Sequence, residues 1–217
     1  MSLSPTATRL ATLLLAALLL WAAPAGAAMP PLDVAQARQA SLRGALKSGA
    51  SVDISVTVLG TKLQSFSASS LRLGASKKLE LAASASDPEK KPSTLVIDAN
   101  APMPWSVVFS LLSAADPLAS LQTTHGAIDA GQRKIDTLED GFVYHYGASP
   151  QVVLSRDFSL MRRVLVHAQG VDWEFRLSGD LGVGGLPERV DILRAGAPFA
   201  NMRLSLSGQS NSPKSKR

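Results

Sequence analysis

The chain has no cysteine. That excludes disulfides, thiolate metal ligands, Fe–S clusters and a thiol nucleophile, and it leaves no site for lipid modification behind a signal sequence. Histidine is nearly as scarce. His125, His145 and His167 are the only three, and no two stand at the close spacing of a metal site. His145, between Tyr144 and Tyr146, reads as a sheet residue rather than a ligand. Serine is abundant, yet there is no G-x-S-x-G elbow and no helical S-x-x-K. Gly182-Val-Gly-Gly185 lies between two strand-like runs, without the helix N-terminus that a phosphate cradle needs, and reads as a flexible loop. Glu139-Asp140 reads as a hairpin turn before Gly141, not as an acid/base pair. No enzyme, cofactor or metal centre is expected. A hydrolase would require a Ser or Asp hydrogen-bonded to His145 or His167 within a cleft.

Charge of one sign is also thin. Lys and Arg total 22 against 17 Asp and Glu, a net charge of +5. Much of the excess falls in the Ser-rich end Pro213-Lys-Ser-Lys-Arg217, read with residues 208–217 as a disordered basic tail. The rest has no basic stripe interleaved with aromatics, so nucleic acid is not an expected partner.

What is present begins with an address. Arg9 precedes the Leu- and Ala-rich run Leu10–Trp21, followed by the small residues Ala25-Gly-Ala27 and Gly26-Ala-Ala28. This is the pattern of a cleavable secretory signal over residues 1–28. Its apolar core is short of the ~20 residues that span a bilayer. The expected location is the periplasm, and loss of Arg9 lowers the net charge from +5 to +4. Residues 29–207 then form one domain, large enough for a sizeable core.

Strand-like runs follow one another from Gly141 to Leu206: 142–146, 151–154, 160–166, 171–177, 188–193 and 199–206. Val171, Trp173 and Phe175 alternate with polar neighbours, as do Val190 and Ile192, and a period of two marks an antiparallel sheet with one buried face. Turn-rich gaps separate the runs, including Gly179–Pro187 and Gly196-Ala-Pro198. Val52, Ile54, Val56 and Val58 alternate in the same way, followed by weaker alternation over Lys62–Leu73 and by Leu79, Leu81 and Ala83. Turns are expected at Gly60-Thr61 and Gly74-Ala-Ser76, and a loop at Asp87–Pro92. Thr94–Ile97 reads as a short strand buried on both faces. The total is about ten strands.

Three helical stretches are expected. Leu32–Ser48 carries Val34, Ala37, Ala40, Leu42 and Leu46 on an apolar stripe, with Arg38, Arg43 and Lys47 opposite. Pro104–Leu112 is apolar nearly all round. Asp116-Pro117 opens a third helix, with Asp as N-cap and Pro at its first position. His125–Lys134 reads as a loop with a short turn. A helix apolar on every side must be covered on every side. Trp105, Val108, Phe109 and Leu112 therefore either cap the core of the sheet or close a cavity for an apolar ligand.

The order of these elements is similar to that of the LolA/LolB-like superfamily of periplasmic lipoprotein carriers, outer-membrane receptors and lipoprotein-sorting proteins. Local likenesses are Ser69-Ser-Leu-Arg-Leu73 before Leu79-Glu-Leu81, Asp116-Pro-Leu-Ala119, Tyr146-Gly-Ala148 and Gly185-Leu-Pro-Glu-Arg-Val190. Gly74-Ala-Ser-Lys77 stands where the carriers have an Arg-Pro turn, so the chain resembles a divergent member. The resemblance implies an α+β fold, a curved antiparallel half-barrel of about ten or eleven strands with helices covering the open side. It also implies a hydrophobic space for the acyl chains of lipoproteins or another lipid, carried toward the outer membrane, with envelope transport proteins as possible partners and a monomer as the working form. The candidate lining residues are Ile54, Val56, Leu71, Leu73, Leu79, Leu81, Trp105, Phe109, Leu112, Trp173 and Phe175. Small residues over Ser65–Ser70 suit a concave face. Each buried methylene contributes up to ~0.8 kcal/mol, so no polar constellation is needed. The alternative expectation is an interaction module of the same shape, filled by its own side chains and docking a protein partner.

Overall fold

The period-two runs pair into one open antiparallel sheet of eleven strands in a computed structural model of the protein. It describes residues 29–44, 46, 51–60, 63–73, 77–83, 93–138 and 141–207. The expected signal sequence, the basic tail, the turns at Thr61 and Gly74–Ser76, the loop at Asp87–Pro92 and the Glu139-Asp140 turn lie outside the described residues. The chain divides into two units, Met1–Pro30 and Pro31–Arg217, and the second holds every element that follows. No helix among the described residues is long and apolar enough to cross a membrane.

Helix α1 (Leu32–Gly44) precedes strands β1 (Ser51–Leu59), β2 (Leu63–Arg72), β3 (Lys78–Ala83) and β4 (Thr94–Asp98). Helices α2 (Trp105–Leu112) and α3 (Pro117–His125) follow. Then come β5 (Arg133–Leu138), β6 (Gly141–Tyr146), β7 (Gln151–Ser155), β8 (Met161–Ala168), β9 (Val171–Ser178), β10 (Arg189–Arg194) and β11 (Ala197–Leu206). The spatial order is β4-β3-β2-β1-β11-β10-β9-β8-β7-β6-β5. Two meanders, β1–β4 and β5–β11, thus meet along a single seam between β1 and β11. Helices α2 and α3 connect the two edge strands, β4 and β5.

Register aligns the apolar residues across the sheet. Ala200, Ile192, Phe175, Val164, Val152 and Tyr146 stand opposite one another over six strands, and all are buried. Burial of such side chains stabilises by about 1.5–3 kcal/mol each. One residue along, Asn201, Asp191, Arg176, Arg163, Val153 and His145 form the opposite row. There Arg163 and Arg176 face each other directly, a repulsive placement. Glu174 offsets it, lying 2.9 Å from Arg176 Nε and 3.9 Å from Arg163 Nη1. The register shifts at Val153/Leu154 and Ile192/Leu193, and both members of each pair are buried there. An extra residue at a bulge breaks the alternation, which is why these two strands read imperfectly as period two.

Several expectations need correction. Residues 94–97 are not buried on both faces: Val96 is 40% exposed while Ile97 is fully covered. The strand is an edge, so only one of its faces meets the core. Residues 133–138 form a full strand, the eleventh, and the loop after α3 is correspondingly short. The turn before β11 falls at Ala195-Gly196, and Pro198 lies inside the strand opposite Leu193, at the bulge. Helix α1 is described over Leu32–Gly44, and residues 45 and 47–48 of the expected helix lie outside the described residues. Its buried face is Leu32, Ala35, Gln39 and Arg43, whereas Val34 is 47% exposed and Ala37 is also exposed.

The expected glycine loop makes close contacts at two of its glycines. Gly184 and Gly185 hold φ of +64° and +62°, which side chains with a Cβ rarely adopt. A Cβ at Gly184 would lie 2.5 Å from Leu46 Cγ, and one at Gly185 would lie 2.5 Å from the Ser159 carbonyl oxygen. The loop needs glycine because it presses its backbone against the segment after α1 and the β7–β8 turn.

Candidate functional site

Helix α2 is the most apolar element of the fold. Trp105, Ser106, Val107, Val108, Ser110, Leu111 and Leu112 are all buried, and only Phe109 is partly open. It packs on α3 and β4. Its N-terminal residue reaches the interior strand β11, where the Trp105 and Phe199 rings lie 6.4 Å apart. Phe199 meets Trp173 edge-on at 5.2 Å, and the Arg194 guanidinium sits 5.7 Å from the Trp173 ring. Such edge contacts are favourable beyond the area they bury. Three aromatics from α2, β11 and β9 therefore join, with Arg194 beside the last of them.

The other end of α2 is held by polar side chains. It has no basic residue in its last turn, so its terminal carbonyls need partners from elsewhere. Arg43 supplies them: Nη2 donates to the Leu111 carbonyl at 2.5 Å and Nη1 to that of Leu112 at 3.3 Å. The cation also faces the negative end of the helix dipole. Arg43 is 5% exposed, and burial lowers its pKa to about 10, so the guanidinium stays charged at neutral pH. Two further α1 side chains act alike. Gln39 Nε2 donates to the Phe158 carbonyl, and Gln36 Nε2 to Asp116 Oδ2 at 2.9 Å. Asp116 in turn caps α3 by accepting from the Ala119 amide at 2.9 Å. Positions 36, 39 and 43 share one helical stripe, so one face of α1 fastens α3, the β7–β8 turn and the end of α2.

The candidate lining residues are distributed as follows. Ile54, Val56, Leu73, Leu79, Leu81, Leu112 and Phe175 are at most 2% exposed, and Trp105 and Trp173 are 9% and 6% exposed. Leu71 and Phe109 are half-buried. The structure joins Trp105 to Trp173 through Phe199, which sequence reasoning placed in a strand but not in the site. It also reveals Arg43 and Gln39, which hydropathy alone assigned to no site. Their only signal was spacing: Leu32, Gln39, Arg43 and Leu46 fall on one helical stripe.

Three open grooves lie away from α2. One of about 610 Å³ runs past Ile54, a candidate lining residue, and past Ser55, Ser67, Ser69, Arg189 and Arg203. A second, about 680 Å³, is bordered by Phe142, Arg156, Asp157 and Arg162. The third, about 430 Å³, lies among Asp136, His145, Arg163, Glu174 and Arg176. None of the three is lined by Trp105, Phe109, Leu112, Trp173 or Phe175.

The histidine geometry bears on hydrolysis. His167 Nδ1 lies 2.7 Å from Asp172 Oδ1, but the pair is open to solvent at 56% and 79% exposure and stands outside these grooves. The nearby Ser149 hydroxyl accepts from the His167 backbone amide at 2.9 Å. His145 Nε2 lies 3.8 Å from Asp136, which is closer to Lys134 at 3.1 Å. Burial, reinforced by Arg163, holds the His145 imidazole below its ordinary value against the pull of Asp136. Neither histidine has a serine hydroxyl placed against its ring among the described contacts.

Against known families and characterised proteins, the chain finds no match.

Proposed function

We propose that this protein is a periplasmic carrier of acyl chains, from lipoproteins or another lipid, built as a divergent LolA/LolB-like half-barrel. In this reading the sheet curves, α2 and α3 cover its concave face, and the interior opens when α2 moves. The carrying observation is α2 itself. A helix apolar on nearly all sides forms, with α3, the connection between the two sheet edges, and it lies between an aromatic group and a polar clasp. Its hold at the C-terminus consists of a few hydrogen bonds from α1, each worth about 1.5–3 kcal/mol when a charge takes part. Burying about eight methylenes would contribute roughly 6 kcal/mol, enough to compete with that hold.

A second reading follows from the tight packing. Leu79, Leu81, Leu112 and Phe175 have no exposed surface, as expected of a module filled by its own side chains that docks an envelope protein.

Native mass spectrometry separates the two. The chain from Met29 is produced in a bacterial periplasm, purified without detergent, and weighed before and after organic extraction. An extractable adduct of lipid or lipopeptide mass is expected. A clean mass in both spectra, with no uptake of a fluorescent fatty acid, favours the docking module instead.

A further inference from the structure

Arg43 has more donors than the protein uses. Its two terminal nitrogens hold the end of α2, but Nε is buried without a protein acceptor. The Ser113 hydroxyl, one residue beyond the Leu112 carbonyl that Arg43 holds, is likewise buried and unpartnered. Both side chains are 5% exposed. No carboxylate of the described residues lies within ion-pair distance of Arg43. A buried guanidinium without a counter-anion is costly, and the helix end supplies only about half a negative charge.

We infer that Arg43 Nε and Ser113 Oγ anchor the carboxylate of the bound amphiphile, so that the cargo is a free long-chain carboxylic acid. This deepens the carrier reading and rests on it. A carboxylate brings the missing negative charge and accepts from two donors at once, in short charge-assisted bonds. A neutral ester or alcohol leaves the charge unmet. A phosphate monoester carries more charge and more acceptors than two donors satisfy. The placement also suits a chain. Leu112, Val108 and Trp105 follow one another along α2, a stripe of about 10 Å at 1.5 Å per residue, from the carboxylate end to the Trp105–Phe199–Trp173 group.

The test is isothermal titration of the delipidated chain with laurate, methyl laurate and dodecanol at neutral pH, below their aggregation limits. Laurate is expected to bind roughly tenfold tighter than the ester or the alcohol, the effect of a hydrogen bond to a charged group. Arg43→Met should bring the three affinities together while ester binding persists. Ser113→Ala, which leaves the α2 clasp intact, should narrow the preference by about threefold. Should Arg43→Met fail to fold, the wild-type ratio and Ser113→Ala decide. Equal binding of laurate and ester by the wild type overturns the carboxylate anchor and leaves the carrier standing. If none of the three binds, the carrier reading falls and the anchor with it.

Discussion

Tyr146 lies in the buried row of the sheet with no exposed surface, and burial pushes its hydroxyl up to about 12. The ordinary value is about 10, so the folded state holds this proton more tightly than the unfolded chain does. Its contribution is fully present below pH ~10 and is lost as pH rises toward ~12. Tyr146→Phe should therefore flatten the alkaline fall in stability across that window, read from urea midpoints at each pH. Parallel declines in both proteins would refute the assignment. The same scale shows where the sequence was hardest to read. Hydropathy places an arginine outside, yet Arg43 and Gln39 bury their stems and carry polar ends to carbonyls of distant segments. Those acceptors, Leu111, Leu112 and Phe158, are brought near only by the tertiary fold, so nothing local announces the pairing.

At the scale of elements, the sequence was clearest where chemistry is local. Asp116-Pro117 announced α3, and the structure places the Asp116 carboxylate on the Ala119 amide. Asp116→Ala should cost about 1 kcal/mol for the lost cap, and more if the Gln36 contact is lost with it. Asp116→Asn, which keeps a capping oxygen, should cost less. Chemical denaturation of the two variants provides the comparison, and equal losses would mean that the cap contributes little. Strands with one wet face, such as β1 and β9, were legible from alternation. The edge strand β4 was misjudged because an apolar run of three, Leu95-Val-Ile97, looks the same at an edge and at the centre. The close packing of Gly184 and Gly185 was not legible, because glycine serves both mobile loops and close backbone approach, and only the positions of Leu46 and the Ser159 carbonyl show the second role.

For the whole molecule, an antiparallel sheet accompanied by helices could be read from the order of periods, whereas the strand order could not. Alternation says that a strand has a buried face, not which neighbour it takes. The seam pairs Val56 with Met202 and Ile54 with Leu204, residues far apart in the chain. All four are buried, so stability should concentrate there. Met202→Ala is expected to cost about 2–5 kcal/mol, while Val96→Ala on the edge strand should stay within about 0.5 kcal/mol. Similar losses in urea denaturation would argue against a seam-centred core. Most of the candidate lining residues were found as a buried set, but the meeting of Trp105 and Trp173 through Phe199 depends on where α2 lies against β11, which no local pattern encodes.

That seam also sets how the fold meets force. Ser51 and Ser207 lie at the same end of the β1–β11 pair, with the Ser207 amide donating to the Ser51 carbonyl at 2.9 Å. Tension applied across these two residues loads the hydrogen bonds one after another, as in a zipper, rather than all together in shear. The two meanders would peel apart at low force while each kept its internal pairing, held to one another afterwards by the α2–α3 link and by the contacts of α1 with the β7–β8 turn.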